Sequence, residues 1–254
     1  MIVAADNLTS SNPAVAAALK SLQPQPLQEL ARRCEDAGAA LLDLNPGYLS
    51  PRHEDRMAFM VDAVQSVTGL RLILDSPHPR VLARGLAACR DKPILNACTL
   101  EEAKLRDILP LAAAHHTDLV LLLLDDRSFA PPTLDGKMAL AVELREHALA
   151  AGVAHEQLIF DPVLPNLRWP DAFFQLGEAL KAVRLLTAGD IFSMPGQTMA
   201  GLSNLRSGLR HLHPLKLEET CLSLLAGGGL SFVLTEVLQP SLMKTVRLIK
   251  QMSG

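Results

Sequence analysis

One alternation constrains the fold more than anything else in the chain. Eight times a strand-length apolar run ends at an amide, a carboxylate or a hydroxyl next to one, and eight times a segment of helical length follows. The plainest run is Asp118-Leu-Val-Leu-Leu-Leu-Leu124. A strand apolar on both faces must be covered on both, which is the situation of a parallel sheet under helices. The other runs are Ile2 to Ala5, Ala40 to Leu44, Arg71 to Leu74, Pro93 to Leu95, Gln157 to Phe160, Gln197 to Leu202 and Ser231 to Leu234. Helical segments are expected at Gln25 to Ala37, Asp55 to Val67, Pro79 to Cys89, Glu101 to His115, Asp135 to Ala151, Asp171 to Leu186, Lys216 to Ala226 and Ser241 to Met252. Pro13 after Asn12 marks an earlier helical start. Gly38, Gly69 and Gly152 follow three of the segments as C-terminal stops.

Parallel neighbours need a crossover between every pair, usually a helix, and eight such units at 254 residues match one closed barrel. The expectation is an α/β chain folded as a single (β/α)8 TIM barrel over residues 1–254. A doubly wound open sheet would need a glycine-rich turn after its first strand, and Ala4-Ala-Asp-Asn7 is not one.

Charge and cysteine usage narrow the function classes. With 24 Lys and Arg against 27 Asp and Glu, the net charge of −3 leaves no basic excess for a phosphate backbone, so nucleic acid is not an expected partner. Cys34, Cys89, Cys98 and Cys221 are scattered and never form a C-x-x-C pair, which argues against a zinc knuckle or disulfide framework and for a reducing compartment. The amino terminus lacks the pattern of a secretory signal, and Leu119 to Leu124 is too short to cross a bilayer. The expectation is a soluble, cytoplasmic protein with no membrane partner.

In a barrel the chemistry gathers where the strands end. Those positions read Asn7, Asn45, Asp75, Asn96, Asp125, Asp161, Asn204 and Glu236, with no lysine among them. Each alone reads equally well as an Asx-turn. Together they suit a neutral heterocycle rich in hydrogen-bonding groups, because carboxylates accept from ring N–H and amino groups while amides both donate and accept. No H-x-x-x-H or C-x-x-C pairing supports a metal, and His115, His116, His211 and His213 read as exposed helix-end or loop residues.

The segments Leu42-Asp-Leu-Asn-Pro-Gly47, Leu72-Ile-Leu-Asp-Ser76, Pro93-Ile-Leu-Asn96, Ile159-Phe-Asp-Pro162 and Gly201-Leu-Ser-Asn204 resemble, in order and spacing, the pterin-binding barrel family. That family contains dihydropteroate synthases, the folate domain of cobalamin-dependent methionine synthase and methyltetrahydrofolate:corrinoid protein methyltransferases. Dihydropteroate synthases carry a basic pair after the serine of the seventh strand, whereas this chain has Ser203-Asn204-Leu205, so it resembles the methyltransferases most closely. The resemblance implies tetrahydrofolate or methyltetrahydrofolate as substrate, with Asp75, Asn96 and Asp161 on the pterin edge. It implies that Asn204 bonds the nitrogen carrying the methyl group, with Asn204 and Asp161 as the catalytic pair. Asn7, Asn45 and Ser203 complete the implied substrate-binding set. No Asp-x-His-x-x-Gly signature is present, so the corrinoid (cobalamin) is expected on a separate partner protein, and no bound metal is expected. The resemblance also implies a homodimer. The chain departs from the methyltransferases in having Asp6 before Asn7 where Gly-Glu-Arg is common, Thr235-Glu236 where the eighth strand commonly ends in Asp-Pro, and His213 before Pro214 where arginine is common. Arg206 and Arg210 stand nearby as alternative basic groups.

Overall fold

The structure is a computed structural model that describes residues 1–209 and 212–253. Arg210, His211 and Gly254, named or spanned above, lie outside the described residues. Eight parallel strands close into a barrel in chain order: β1 (Ile2–Thr9), β2 (Leu41–Asn45), β3 (Arg71–Asp75), β4 (Ile94–Cys98), β5 (Asp118–Leu122), β6 (Leu158–Asp161), β7 (Gln197–Gly201) and β8 (Phe232–Thr235). Closure is made by β8 against β1, with Val3 beside Val233 and Ala5 beside Thr235. Around the strands lie α1 (Pro13–Ser21), α2 (Gln25–Asp36), α3 (Asp55–Gln65), α4 (Pro79–Ala88), α5 (Glu102–His115), α6 (Leu134–Ala150), α7 (Ala172–Ala188), α8 (Ser203–Arg206), α9 (Lys216–Gly227) and α10 (Pro240–Ser253). The (β/α)8 expectation is met, with α1 and the single turn of α8 as additions.

Local chemistry accounts for where the helices begin and which side they bury. Asn12 has extended backbone and its side chain accepts from the N–H of Ala14 at 3.0 Å, while Pro13 occupies the first helical position of α1. On α2 the residues Leu27, Leu30, Ala31 and Cys34 are buried, a three-four spacing that puts them on one stripe against the sheet.

The strand ends shift from the sequence expectation, by one residue in most strands and by three in β4, which runs on from Leu95 to Cys98. β1 runs on to Thr9, because a register shift against β2 between Ala5 and Leu8 absorbs an extra residue and lets the pairing continue. β5 stops at Leu122, where the N–H of Leu124 turns back to the Leu122 carbonyl at 2.7 Å. β7 stops at Gly201, since Leu202 is already helical at φ −65 and ψ −33.

Strand alternation divides the apolar residues into two cores. Ala4, Leu41, Ile73, Ile94, Val120, Ile159, Met199 and Phe232 form a separate cluster that plugs the barrel interior. Their neighbours in sequence, such as Val3, Leu42, Leu74, Leu95, Leu121 and Phe160, belong to the larger cluster between strands and helices. The interior phase recurs every second residue. Carried one step beyond the plug, it reaches Asp6, Asp43, Asp75, Asn96, Leu122, Asp161, Gly201 and Leu234, all of which line a cavity. The apolar plug is therefore the floor of a polar pocket.

Candidate active site

The cavity, about 750 Å³, opens at the carboxyl ends of the strands. All seven residues of the implied catalytic and substrate-binding set line it: Asn7, Asn45, Asp75, Asn96, Asp161, Ser203 and Asn204. Asp75 and Asn96 are direct partners in the β3–β4 ladder, so their side chains share the inner side. Asn45 Nδ2 donates to Asp75 Oδ2 at 2.7 Å, and Asn45 Oδ1 accepts from the N–H of Gly47 at 2.9 Å. Asn45 is thus an Asx-turn and a cavity residue at once. Asn7 Oδ1 accepts from the N–H of Val237 at 3.1 Å, which ties the shifted segment of β1 to the loop after β8.

Asp161, at the end of β6, is buried, and its Oδ1 accepts from the N–H of Val163 at 2.8 Å. Burial pushes its carboxyl up to about 6, against the Val163 N–H and the Lys137 ammonium, which both favour the anion. Burial likewise pushes Asp75 up to about 6, opposed by the hydrogen bond from Asn45.

Asn204 needs a correction. It sits in the single turn of α8 rather than at a strand end, and it is exposed at the cavity rim. Its amide lies over Gly201, where an added Cβ would stand 3.4 Å from Asn204 Nδ2. Two sets of bonds hold the turn. On one side Asn166 Nδ2 donates to the carbonyls of Asn204 and Ser207 at 3.1 and 3.0 Å, and the N–H of Leu167 donates to the Leu205 carbonyl at 2.9 Å. On the other, Arg206 Nε donates to Glu218 Oε1 at 2.6 Å and its Nη1 to the His213 carbonyl at 2.6 Å, both side chains being buried. Arg206 is therefore a structural cation outside the cavity lining, not a free basic group at its rim.

The fifth position of the sequence-derived ring does not join it. Asp125 is absent from the cavity lining because β5 ends early, and its Oδ1 accepts from the N–H groups of Arg127 and Phe129, a plain turn. Glu236 lines the cavity.

Two residues escaped the sequence reading. Asp43, within β2, is buried with Oδ1 lacking any hydrogen-bond partner, and its carboxyl is held well above the ordinary range by burial and by Asp75 and Asp6. The signal was present: a carboxylate two residues beyond Leu41, in the interior phase of an otherwise apolar strand. Lys104 lines the cavity from α5, with Nζ 2.7 Å from Glu101 Oε1. Glu101 also accepts from Ser128 at 2.6 Å, and these bonds hold its carboxyl below the usual range. Nothing at the strand ends announces Lys104, which arrives from a helix one turn later.

The described residues lining the cavity thus include five carboxyl groups, at Asp6, Asp43, Asp75, Asp161 and Glu236, and one ammonium. Such a lining offers acceptors to a ligand edge rich in N–H groups. No three His, Cys, Asp or Glu side chains among the described residues converge as a metal site would require. No helix among the described residues is long and apolar enough to cross a membrane.

Comparison with known proteins agrees with this geometry. A family model described as pterin binding enzyme matches residues 7–232. The methylcorrinoid:tetrahydrofolate methyltransferase of Eubacterium limosum is 24% identical over 211 residues, covering 82% of this chain and 76% of that protein. A dihydropteroate synthase from Coxiella burnetii in complex with pteroic acid has a TM-score of 0.71 at 17% identity, covering 99% of this chain and 92% of that one. The dihydropteroate synthase from Xanthomonas albilineans in complex with 7,8-dihydropteroate has a TM-score of 0.71 at 16% identity, covering 100% and 94%. Those structures establish the shared fold, and the family match runs from the last residues of β1 to the start of β8. A closed barrel, a carboxylate and amide cavity at its strand ends and that match lead to one statement: the chain belongs to the pterin-binding enzyme family.

Proposed function

We propose that the protein transfers a methyl group between the pterin N5 of (methyl)tetrahydrofolate and the cobalt of a separate corrinoid protein. The observation that carries the reading is the turn after β7, where an exposed amide, Asn204, stands over Gly201 and no basic pair follows Ser203. A condensation that expels diphosphate calls for cations at that place. Methyl transfer calls instead for a donor to the pterin nitrogen, as electron density builds on it when the N5–CH3 bond breaks. In this reading Asp75, Asn96 and Asp161 accept from and donate to the pterin edge, with Asn7, Asn45 and Ser203 around them. The relative from Eubacterium limosum, named for this chemistry, supports the choice.

The corrinoid, held by its own protein, supplies cobalt as the methyl acceptor or donor. This chain supplies position and charge. The pterin is gripped between strand ends that the barrel holds rigid, and fixing the methyl for in-line transfer removes much of the entropic barrier. A hydrogen bond from Asn204 that strengthens as N5 takes the electron pair lowers the remainder. The proton that N5 then needs has a source in the cavity in Asp43, whose carboxyl is held well above the ordinary range by burial and by Asp75 and Asp6. Exposure of Asn204 at the rim leaves its side of the cavity open to a second protein.

The test is methyl exchange between methyltetrahydrofolate and cob(I)alamin by the purified protein. Asn204→Ala is expected to lower the rate of exchange by about 10²-fold while changing folate affinity much less. Wild-type protein that binds folate but exchanges no methyl sinks the reading.

A further inference from the structure

Lys137, on α6, is completely buried among the helices outside the strand layer and does not line the cavity. A lysine in that state is rare, since its ammonium must leave water, and a bound partner has to offset the loss. Its Nζ donates to the carbonyl of Pro162 at 2.7 Å. That carbonyl belongs to the peptide joining Pro162 to Val163, and the N–H of the same peptide donates to Asp161 Oδ1 at 2.8 Å. Val163 has φ +58, a conformation that a β-branched residue adopts only under constraint. One peptide group is therefore held at both ends, its oxygen by an ammonium from behind and its N–H by the carboxylate that faces the cavity. Hydrogen bonds arranged in series polarise and strengthen one another.

We propose that Lys137 is a positioning residue for Asp161: it orients the Pro162–Val163 peptide from outside the barrel and holds Asp161 as the anion that accepts from the pterin. The proposal deepens, and rests on, the pterin-binding reading of the cavity. The charged groups facing the pair are few. Asp161 faces Lys137 from α6 and Asp75 from β3, and Lys137 faces Asp161 and Glu178 of α7. Glu178 is also bonded to the N–H of Leu134 and to Lys181. Burial pulls the lysine down to about 8, so most of it remains charged at neutral pH.

Carboxyl-detected NMR of the apo protein, with Asp161→Asn used to assign the signal, tests the role without any ligand. The Asp161 midpoint is expected near 6 in the wild type and about one pH unit higher in Lys137→Met. Lys137→Gln, which keeps a donor but not the charge, serves if the Met variant does not fold, and is expected to move the midpoint the same way. An unchanged midpoint in either folded variant overturns the proposal. Calorimetry with tetrahydrofolate adds the functional arm. Binding by the Lys137 variant is expected to weaken by about fivefold at pH 6 and by less at pH 8, where Asp161 is ionised in both proteins. In an Asp161→Asn background the same substitution is expected to change affinity by less than about twofold, and full additivity overturns the proposal. Wild-type protein that binds no tetrahydrofolate defeats the pterin reading alone, because the NMR midpoint still decides what Lys137 does to Asp161.

Discussion

Asp43, Asp75 and Asp161 face one cavity and are all held above the ordinary carboxyl range, chiefly by burial. A carboxyl whose folded-state value is raised favours folding below its unfolded value and loses that contribution as pH rises through the folded one. For Asp75 and Asp161 the window runs from about 4 to about 6. The apo protein is therefore expected to lose unfolding free energy across that window, measurable as a falling urea midpoint. Ligand binding runs the other way. An N–H edge needs ionised acceptors, so tetrahydrofolate affinity is expected to rise with pH through about 6 and level off above it, by calorimetry. A pH-independent affinity would show that these carboxyls do not receive the ligand. At this scale the sequence displayed Asp75, Asn96 and Asp161 because each ends a run of apolar strand residues. It hid Lys104 and Lys137, whose positions depend on helices packed elsewhere in the chain.

The informative element is α8, one turn long, which carries the amide on which the functional reading turns. A helix of that length has no stability of its own, since nucleation costs more than a single turn returns. Its place is set by the buried Arg206–Glu218 pair toward α9 and by Asn166 and Leu167 from the loop after β6. Arg206→Met leaves Glu218 buried without its cation, and a loss of about 3–5 kcal/mol is expected in chemical denaturation. The double variant Arg206→Met with Glu218→Leu is expected to recover most of that loss. If the single variant is as stable as wild type, the pair does not anchor α8. From sequence, Gln197 to Leu202 reads as one strand. The strand yields to a helical turn at Leu202 because ties from two distant segments capture it, and those ties cannot be seen from local pattern.

At the scale of the whole molecule, the barrel interior is an apolar plug below and a polar pocket above, continuous along each strand. Phe232, 5% exposed, is the bulkiest member of the plug and stands on the strand that closes the barrel against β1. Phe232→Ala is expected to cost about 3–5 kcal/mol, against less than about 1 kcal/mol for Leu248→Ala, half exposed on α10, in urea unfolding. Comparable losses would show that the plug is not what stabilises closure. The eight-fold alternation, the parallel sheet and the residues at most strand ends were legible along the chain, because burial on both faces and the two-residue period are written locally. Which strand-end polar groups converge depends instead on packing across the closed barrel. Asp125 fell away into a turn, Asp43 entered from within a strand, and Asn204 was carried to the rim on a captured turn. The physical reason is that barrel closure sets the register between strands, and register, not sequence spacing, determines which side chains share one cavity.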